Sequence, residues 1–163
     1  MSRLDSFLRR VTAQRDCLDL AAGMVTGLEG VVVELGLGNG RTYDHLREVL
    51  PGREIFVFDR HVAAHPDCVP DAEHLILGEV LDTLPAAAAR LGRRAALAHS
   101  DIGSGDAEAT ARLAAAIGPA LALLMRPGGI VLSDQPIGIA GWTMIDLPPG
   151  VASGRYFMWR VPE

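Results

Sequence analysis

The sequence predicts an α/β fold: a doubly wound, mostly parallel sheet of seven strands with helices on both faces, a long helix ahead of it and an antiparallel β-hairpin at the end. Three observations predict it. Short apolar runs without polar alternation, expected of strands covered on both sides, take turns with segments of helical period. Glycine and proline punctuate the changes from one to the other. The length of 163 residues is about that of one domain, enough for a single two-sided core.

Leu4, Leu8, Val11, Leu18, Ala22 and Val25 recur at helical spacing, which predicts one amphipathic helix from Leu4 to Leu28, ended by Gly30. Val31-Val32-Val33 then reads as a central strand, closed by a glycine-rich turn at Gly36. A helix from about Gly40 to Leu50 stops at Pro51-Gly52, and Ile55 to Phe58 supplies the second strand. An irregular stretch through Pro66 and Pro70 leads to a strand near His74 to Leu77 and a helix from Val80 to Leu91. A fourth strand spans Ala95 to Ser100. The alanine-rich segment from Asp106 to Met125 reads as a buried helix, kinked or broken at Gly118-Pro119, and a Pro127-Gly128-Gly129 turn precedes the fifth strand, Ile130 to Ser133. Trp142 to Asp146 and Arg155 to Val161 complete the sheet, with Pro148-Pro149-Gly150 closing the hairpin. Residues 1–163 are read as one domain, a helix over 1–29 and the sheet-bearing core over 30–163.

Composition narrows the partners. Hydrophobic residues make up 49% of the chain and charged ones 21%, which is globular and not disordered. A net charge of −5 without a basic run argues against gripping nucleic acid or anionic lipid and favours a small-molecule partner. Cys17 and Cys68 form no paired pattern, and MSRLDSFLRR lacks the apolar stretch of a secretory signal, so a reducing cytoplasmic setting is expected. The longest uncharged run, Leu113 to Met125, is too short to span a bilayer.

The sharpest chemical signal is Glu34-Leu35-Gly36-Leu37-Gly38-Asn39-Gly40, where a buried strand turns into a helix. Glycines there let the backbone approach a ligand, and the helix amino terminus favours a carboxylate. A dinucleotide loop of the form GxGxxG would need glycine at position 41, where Arg41 stands. Asp59 ends the second strand beside Arg60, in position to accept ribose hydroxyls or to cap a helix. Glu79, Asp101 and Asp134 follow the third, fourth and fifth strands. In an open parallel sheet the crevice lies beyond the carboxyl ends of the strands, so Glu34, Asp59, Asp101 and Asp134 are all expected at one rim.

This order of landmarks, from Val31 to Gln135, resembles class I S-adenosylmethionine-dependent methyltransferases, whose fold is Rossmann-like. The resemblance implies S-adenosyl-L-methionine as cofactor, held by Glu34 and the Gly36, Leu37, Gly38, Asn39 and Gly40 backbone, with Asp59 and Arg60 at the ribose and Glu79 near the adenine. It implies in-line methyl transfer to an acceptor, with a non-catalytic S-adenosylmethionine or nucleoside-binding module as the alternative and a nicotinamide-dependent oxidoreductase as a weaker rival. In pattern the nearest members are the catechol-type O-methyltransferases. Gly40-Arg41-Thr42 stands where they carry a residue touching the methionine carboxylate, a contact assigned to Thr42. Their divalent metal would correspond to magnesium on Asp101, Asp134 and Gln135. Two positions depart from that pattern: Gln135 replaces an asparagine, and Ser104 replaces the lysine base. Asp101 and His99 therefore stand as general bases, unless His99 simply packs under the crevice.

Arg15 interrupts the apolar stripe of the first helix, so its head either meets the cofactor or snorkels to water. His61, His65, Asp67 and Cys68 raise a zinc site to be checked, although Pro66 cuts any helix there short. Gln135 to Gly141 is too short for a crossover helix. Ile137, Ile139 and Trp142 are therefore expected near the surface, where burying them would need a homodimer or larger homo-oligomer.

Overall fold

The computed structural model describes residues 2–163. Helix α1, Arg3–Met24, begins with a capping box in which the Ser2 hydroxyl accepts from the Asp5 N–H and the Asp5 carboxylate accepts from the Ser2 N–H. It ends before the expected Leu28, because Val25-Thr26-Gly27 joins two β-branched residues to a glycine, all weak helix formers. Only its second half is buried, through Ala13, Gln14, Cys17, Leu18, Ala21 and Ala22, while Leu4, Phe7 and Leu8 stay exposed.

Strands β1 (Val31–Leu35), β2 (Ile55–Asp59), β3 (Leu75–Leu77), β4 (Ala95–Ser100), β5 (Met125–Ser133), β6 (Thr143–Met144) and β7 (Phe157–Arg160) form one sheet in the order β3-β2-β1-β4-β5-β7-β6. The first five are parallel; β7 runs antiparallel to β5, and β6 antiparallel to β7. Side chains alternate across the sheet and build a core on each face. On one face α1 and α2 (Arg41–Val49) bury Leu18, Ala21 and Leu46 against Val32, Val57, Leu97 and Leu132. On the other, α3 (Val80–Leu91) and α4 (Ala107–Ala122) bury Leu84, Ile117 and Leu121 against Val33, Phe56, Ala98 and Val131. The strand order reverses between β1 and β4, where an open α/β sheet forms its ligand crevice.

Further expectations change. Helix α4 is not broken at Pro119, since buried Ile117 and Leu121 hold both sides of the proline to the sheet, and it stops at Ala122, short of the expected Met125, which opens β5. Pro127-Gly128-Gly129 is a bulge inside β5 and not a turn before it: the register passes from Ala95 opposite Met125 to Leu97 opposite Ile130. Gly128 at φ +75° and hydrogen bonds to both sides of Val161 fix the extra residues. The last two strands pair antiparallel as expected but are shorter, so the loop between them that contains Pro148-Pro149-Gly150 lengthens to residues 145–156.

Finally, residues 135–141 cover the sheet themselves. Ile137 is buried, while Ile139 and Trp142 are half-buried. The segment fits because α4 carries glycine at 118, where a Cβ would lie 2.8 Å from the Ile137 carbonyl oxygen. The exposed edge that suggested an oligomer is therefore absent at Ile137, since an extended chain lying against a glycine can replace a missing helix. No helix among the described residues is long and apolar enough to cross a membrane.

Candidate functional site

The loop after β1 is shaped by what lies behind it. At Gly36, with φ +93°, a Cβ would come within 2.6 Å of Ile102 Cγ2 and 2.7 Å of the Asp101 carbonyl oxygen, so only glycine fits. The loop is tied down by Asp59, the last residue of β2. Its Oδ2 accepts from the backbone N–H of Leu37 (2.8 Å) and Gly38 (3.2 Å), and its Oδ1 from Arg60 (2.6 Å) and His61 (3.3 Å). Burial pulls the Asp59 carboxyl pKa upward, but these four donors outweigh it and the net shift is down.

Two recesses open at this loop. The larger, of about 350 Å³, is lined by Gly36, Asp59, Arg60, Glu79, Asp101 and Thr110 among others. The smaller, of about 120 Å³, lies beneath α1 and is lined by Arg10, Gln14, Asn39, Arg41, Thr42 and Asp101 among others. Gly36, Gly38 and Asp101 belong to both, so the recesses meet along the glycine loop.

A chain of buried polar side chains runs under that junction. Thr42 donates its hydroxyl to Glu34 Oε1, and Glu34 Oε2 is 2.7 Å from His99 Nδ1. His99 Nε2 is 2.6 Å from the Tyr156 hydroxyl. The Gln14 amide nitrogen reaches both that hydroxyl (3.2 Å) and Asp101 Oδ2 (2.8 Å), and the Arg10 guanidinium stands 4.0 Å from the same oxygen. Glu34 and His99 have no exposed surface. Burial opposes charge on His99, yet the Glu34 carboxylate and its hydrogen bond outweigh it and raise the imidazole pKa. Burial first, and the Asp101 charge second, push the Tyr156 phenol well above its ordinary range, so it stays protonated.

Several sequence-derived roles change accordingly. Glu34 lies one residue inside β1, so its side chain turns onto the α1/α2 face instead of leaving the strand end, and neither oxygen faces a recess. His99 has both ring nitrogens engaged in the interior and cannot meet an acceptor. Arg15 lies one position off the buried stripe; its side chain is 59% exposed and pairs with Asp16. Asp59, Arg60, Glu79, Asp101, Asn39 and Thr42 do line the recesses. Glu79 is the N-cap residue of α3 but makes no side-chain cap bond.

Asp134 sits beside Asp101. Burial first and Asp101 second raise its pKa; Oδ2 accepts from the Gln135 amide, and Oδ1 is buried without a partner among the described residues. No group of three or more His, Cys, Asp or Glu is placed to hold a metal among the described residues. His61, His65, Asp67 and Cys68 do not gather; the His65 ring instead accepts from the Asp67 N–H in a short turn. Asp101, Asp134 and Gln135 fit magnesium poorly as arranged, since Gln135 turns its amide nitrogen to Asp134 and Gln14 occupies Asp101 Oδ2.

Arg10, Gln14 and Tyr156 were not among the residues singled out from sequence. Gln14 had a signal, a lone amide between Val11 and Leu18 on a stripe otherwise apolar. Tyr156 had none, because it meets its partner across 142 positions of chain.

The family model of S-adenosyl-L-methionine methyltransferases matches residues 1–161. The chain belongs to this family. A similar solved structure, an S-adenosyl-L-methionine methyltransferase from Silicibacter pomeroyi DSS-3, shares 46% identity over 98% of both chains with a TM-score of 0.93. Two more distant structures share the methyltransferase's fold. The antibiotic-resistance methyltransferase Kmr has 15% identity over 86% of this chain and 90% of its own (TM-score 0.55). A putative S-adenosyl-L-methionine-dependent methyltransferase from Methanococcus maripaludis has 12% identity over 97% and 91% (TM-score 0.54). Comparison with curated protein sequences found no match. The enzyme is thus an S-adenosylmethionine-dependent methyltransferase, and its two recesses lie on the carboxyl rim of its parallel strands.

Proposed function

We propose that residues 1–163 act as one cytoplasmic unit that methylates a small-molecule acceptor, binding S-adenosylmethionine across the two recesses. The observation that carries this reading is their junction at Gly36, Gly38 and Asp101: a large recess beside a small charged one suits a nucleoside joined to an amino acid. The adenine lies near Glu79. The ribose meets Asp59 and Arg60, its hydroxyls replacing the two longest Asp59 contacts, those from Gly38 and His61. The methionine end crosses the loop into the recess of Arg10, Asn39, Arg41 and Thr42.

When bound, the cofactor supplies an electrophilic methyl group on a positively charged sulfur. The chain contributes approach geometry and exclusion of water. Asp101 is the rim carboxylate nearest both recesses and serves as proton acceptor for the incoming group. His99, sealed beneath it, has no direct part. The acidic net charge supports a small neutral or cationic acceptor over nucleic acid or lipid.

Calorimetry and thermal unfolding test the cofactor assignment: S-adenosylmethionine and S-adenosylhomocysteine raise the melting temperature and NAD does not. Incubation with labelled S-adenosylmethionine and a metabolite extract, followed by mass spectrometry, identifies the acceptor. Binding without transfer to any extract would support the non-catalytic alternative, and binding of NAD alone would overturn the assignment.

A further inference from the structure

With Asp101 and Glu34 as carboxylates and His99 neutral, the buried chain beneath the two recesses has one consistent arrangement of hydrogens. Asp101 can only accept, so the Gln14 group 2.8 Å from it is the amide NH2, and the second hydrogen of that NH2 points to the Tyr156 oxygen 3.2 Å away. Tyr156, accepting from Gln14, gives its own hydrogen to His99 Nε2 at 2.6 Å. The imidazole hydrogen is then on Nδ1 and goes to Glu34 Oε2 at 2.7 Å. The other Glu34 oxygen takes the hydroxyl hydrogen of Thr42. Every hydrogen in the chain is committed. Charging His99 at lower pH leaves Thr42 as it is, because Nδ1 donates in both forms.

Thr42 also lines the smaller recess, and its single hydroxyl hydrogen points away from it, into the protein. A hydroxyl carries one donor and two acceptor lone pairs, so a ligand that reaches the Thr42 oxygen from the recess meets an acceptor only. Arg10 and Arg41 also line this recess, and a guanidinium can only donate. Asn39 uses its Oδ1 on the Arg41 N–H (3.2 Å), which leaves its NH2 free to donate. Asp101 is a second acceptor on the wall.

We infer that the Gln14–Tyr156–His99–Glu34 chain orients Thr42 as a hydrogen-bond acceptor, so that Thr42 with Asp101 selects the α-ammonium group of the bound amino-acid moiety while Arg10, Arg41 and Asn39 take its carboxylate. This rests on the proposal that the methionine end occupies the smaller recess. It reverses the contact expected from the catechol-type resemblance, in which Thr42 would touch the carboxylate. Glu34 is thereby a positioning residue: it touches no ligand and sets which face of Thr42 the ligand meets.

The test compares the affinity of S-adenosylhomocysteine with that of its analogue lacking the α-amino group, by calorimetry on the full chain. The wild type prefers the amino compound. Thr42→Val removes the acceptor and reduces that preference about tenfold, the scale of one hydrogen bond to a charged group, while affinity for the deamino analogue holds; Thr42→Ser restores it. Glu34→Gln gives a second, sharper case. His99 Nδ1 keeps the amide oxygen towards itself, so the amide NH2 donates to Thr42 and turns the hydroxyl hydrogen out into the recess. The preference falls as in Thr42→Val although no ligand-facing atom has been deleted. Equal weakening of both ligands in the two variants, or an unchanged preference in Thr42→Val, overturns the inference; if Glu34→Gln fails to fold, Thr42→Val decides alone. A wild type that binds neither ligand overturns the proposed function as well, which separates the two failures.

Discussion

Replacing Tyr156 by phenylalanine removes one oxygen from a site with no access to water. His99 Nε2 loses its one partner among the described residues, at 2.6 Å and with the residue fully buried, and an unsatisfied group of that kind costs about 1–3 kcal/mol. Gln14 loses a second, longer bond of 3.2 Å, for which the lower end of the ordinary range, about 0.5 kcal/mol, is appropriate. Phenylalanine keeps the ring contacts and spares the desolvation of a hydroxyl, which offsets about 0.5–1 kcal/mol. The net loss is about 2 kcal/mol. In a chain of this length each kcal/mol moves the melting temperature by about 2–4 °C, so Tyr156→Phe lowers it by about 4–8 °C in calorimetry or circular dichroism. Pairing it with Gln14→Met completes a cycle in which the two losses are less than additive, because both sever the same contact. A melting temperature within about 1 °C of wild type would refute the reasoning, since it would mean that His99 Nε2 is satisfied without Tyr156.

Asp59 is held below its ordinary pKa of 3.8 against the pull of burial, so the stability it contributes is complete above pH 3.8 and is lost as the pH falls through its folded-state value. Asp59→Asn accordingly lowers the melting temperature at pH 7, and the gap to wild type narrows in acid below about pH 3.8; a gap independent of pH would contradict this. Asp134 has the opposite sign. Its folded-state pKa is raised, so its ionised form weakens the fold above that value, and Asp134→Asn raises the melting temperature at pH 7 with a gain that fades in acid. A lower melting temperature at pH 7 would count against the buried-carboxyl argument. Gly118→Ala drives a Cβ to 2.8 Å from the Ile137 carbonyl oxygen, an overpacking of about 1–3 kcal/mol that the better helix propensity of alanine, up to about 1 kcal/mol, offsets only in part. Thermal unfolding should therefore show net destabilisation, and an increase in melting temperature would show that residues 135–141 move aside freely.

The sequence made the parallel half of the sheet legible because its strands are short β-branched or apolar runs bounded by local breakers, as at Val31–Leu35 and Ile55–Asp59. It was less informative where pairing decides the outcome. Pro127-Gly128-Gly129 reads locally as a turn, and only Ala95 on β4 and Val161, just past the end of β7, make it a bulge. In the candidate site, Asp59 and Asp101 were located by a rule about strand ends, and they stand at or just beyond those ends. Glu34 broke the same rule because a position one residue further in points sideways into a layer of helices. The bonds that orient Gln14, His99 and Tyr156 join separations of 65, 57, 87 and 142 positions, which no local pattern encodes.

Those separations also bear on the order in which the molecule can be made. Gln14, near the start of the chain, settles its amide between Asp101 and Tyr156, and Tyr156 lies just ahead of β7. A ribosome will have released the glycine loop, Asp59 and Asp101 well before Tyr156 emerges. Until then His99 and Gln14 lack a shared partner, and β5 presents an open edge to the surroundings. The same late segment therefore does two things: β7 pairs with β5 and covers that edge, and Tyr156 just ahead of it completes the buried polar chain with Gln14 and His99.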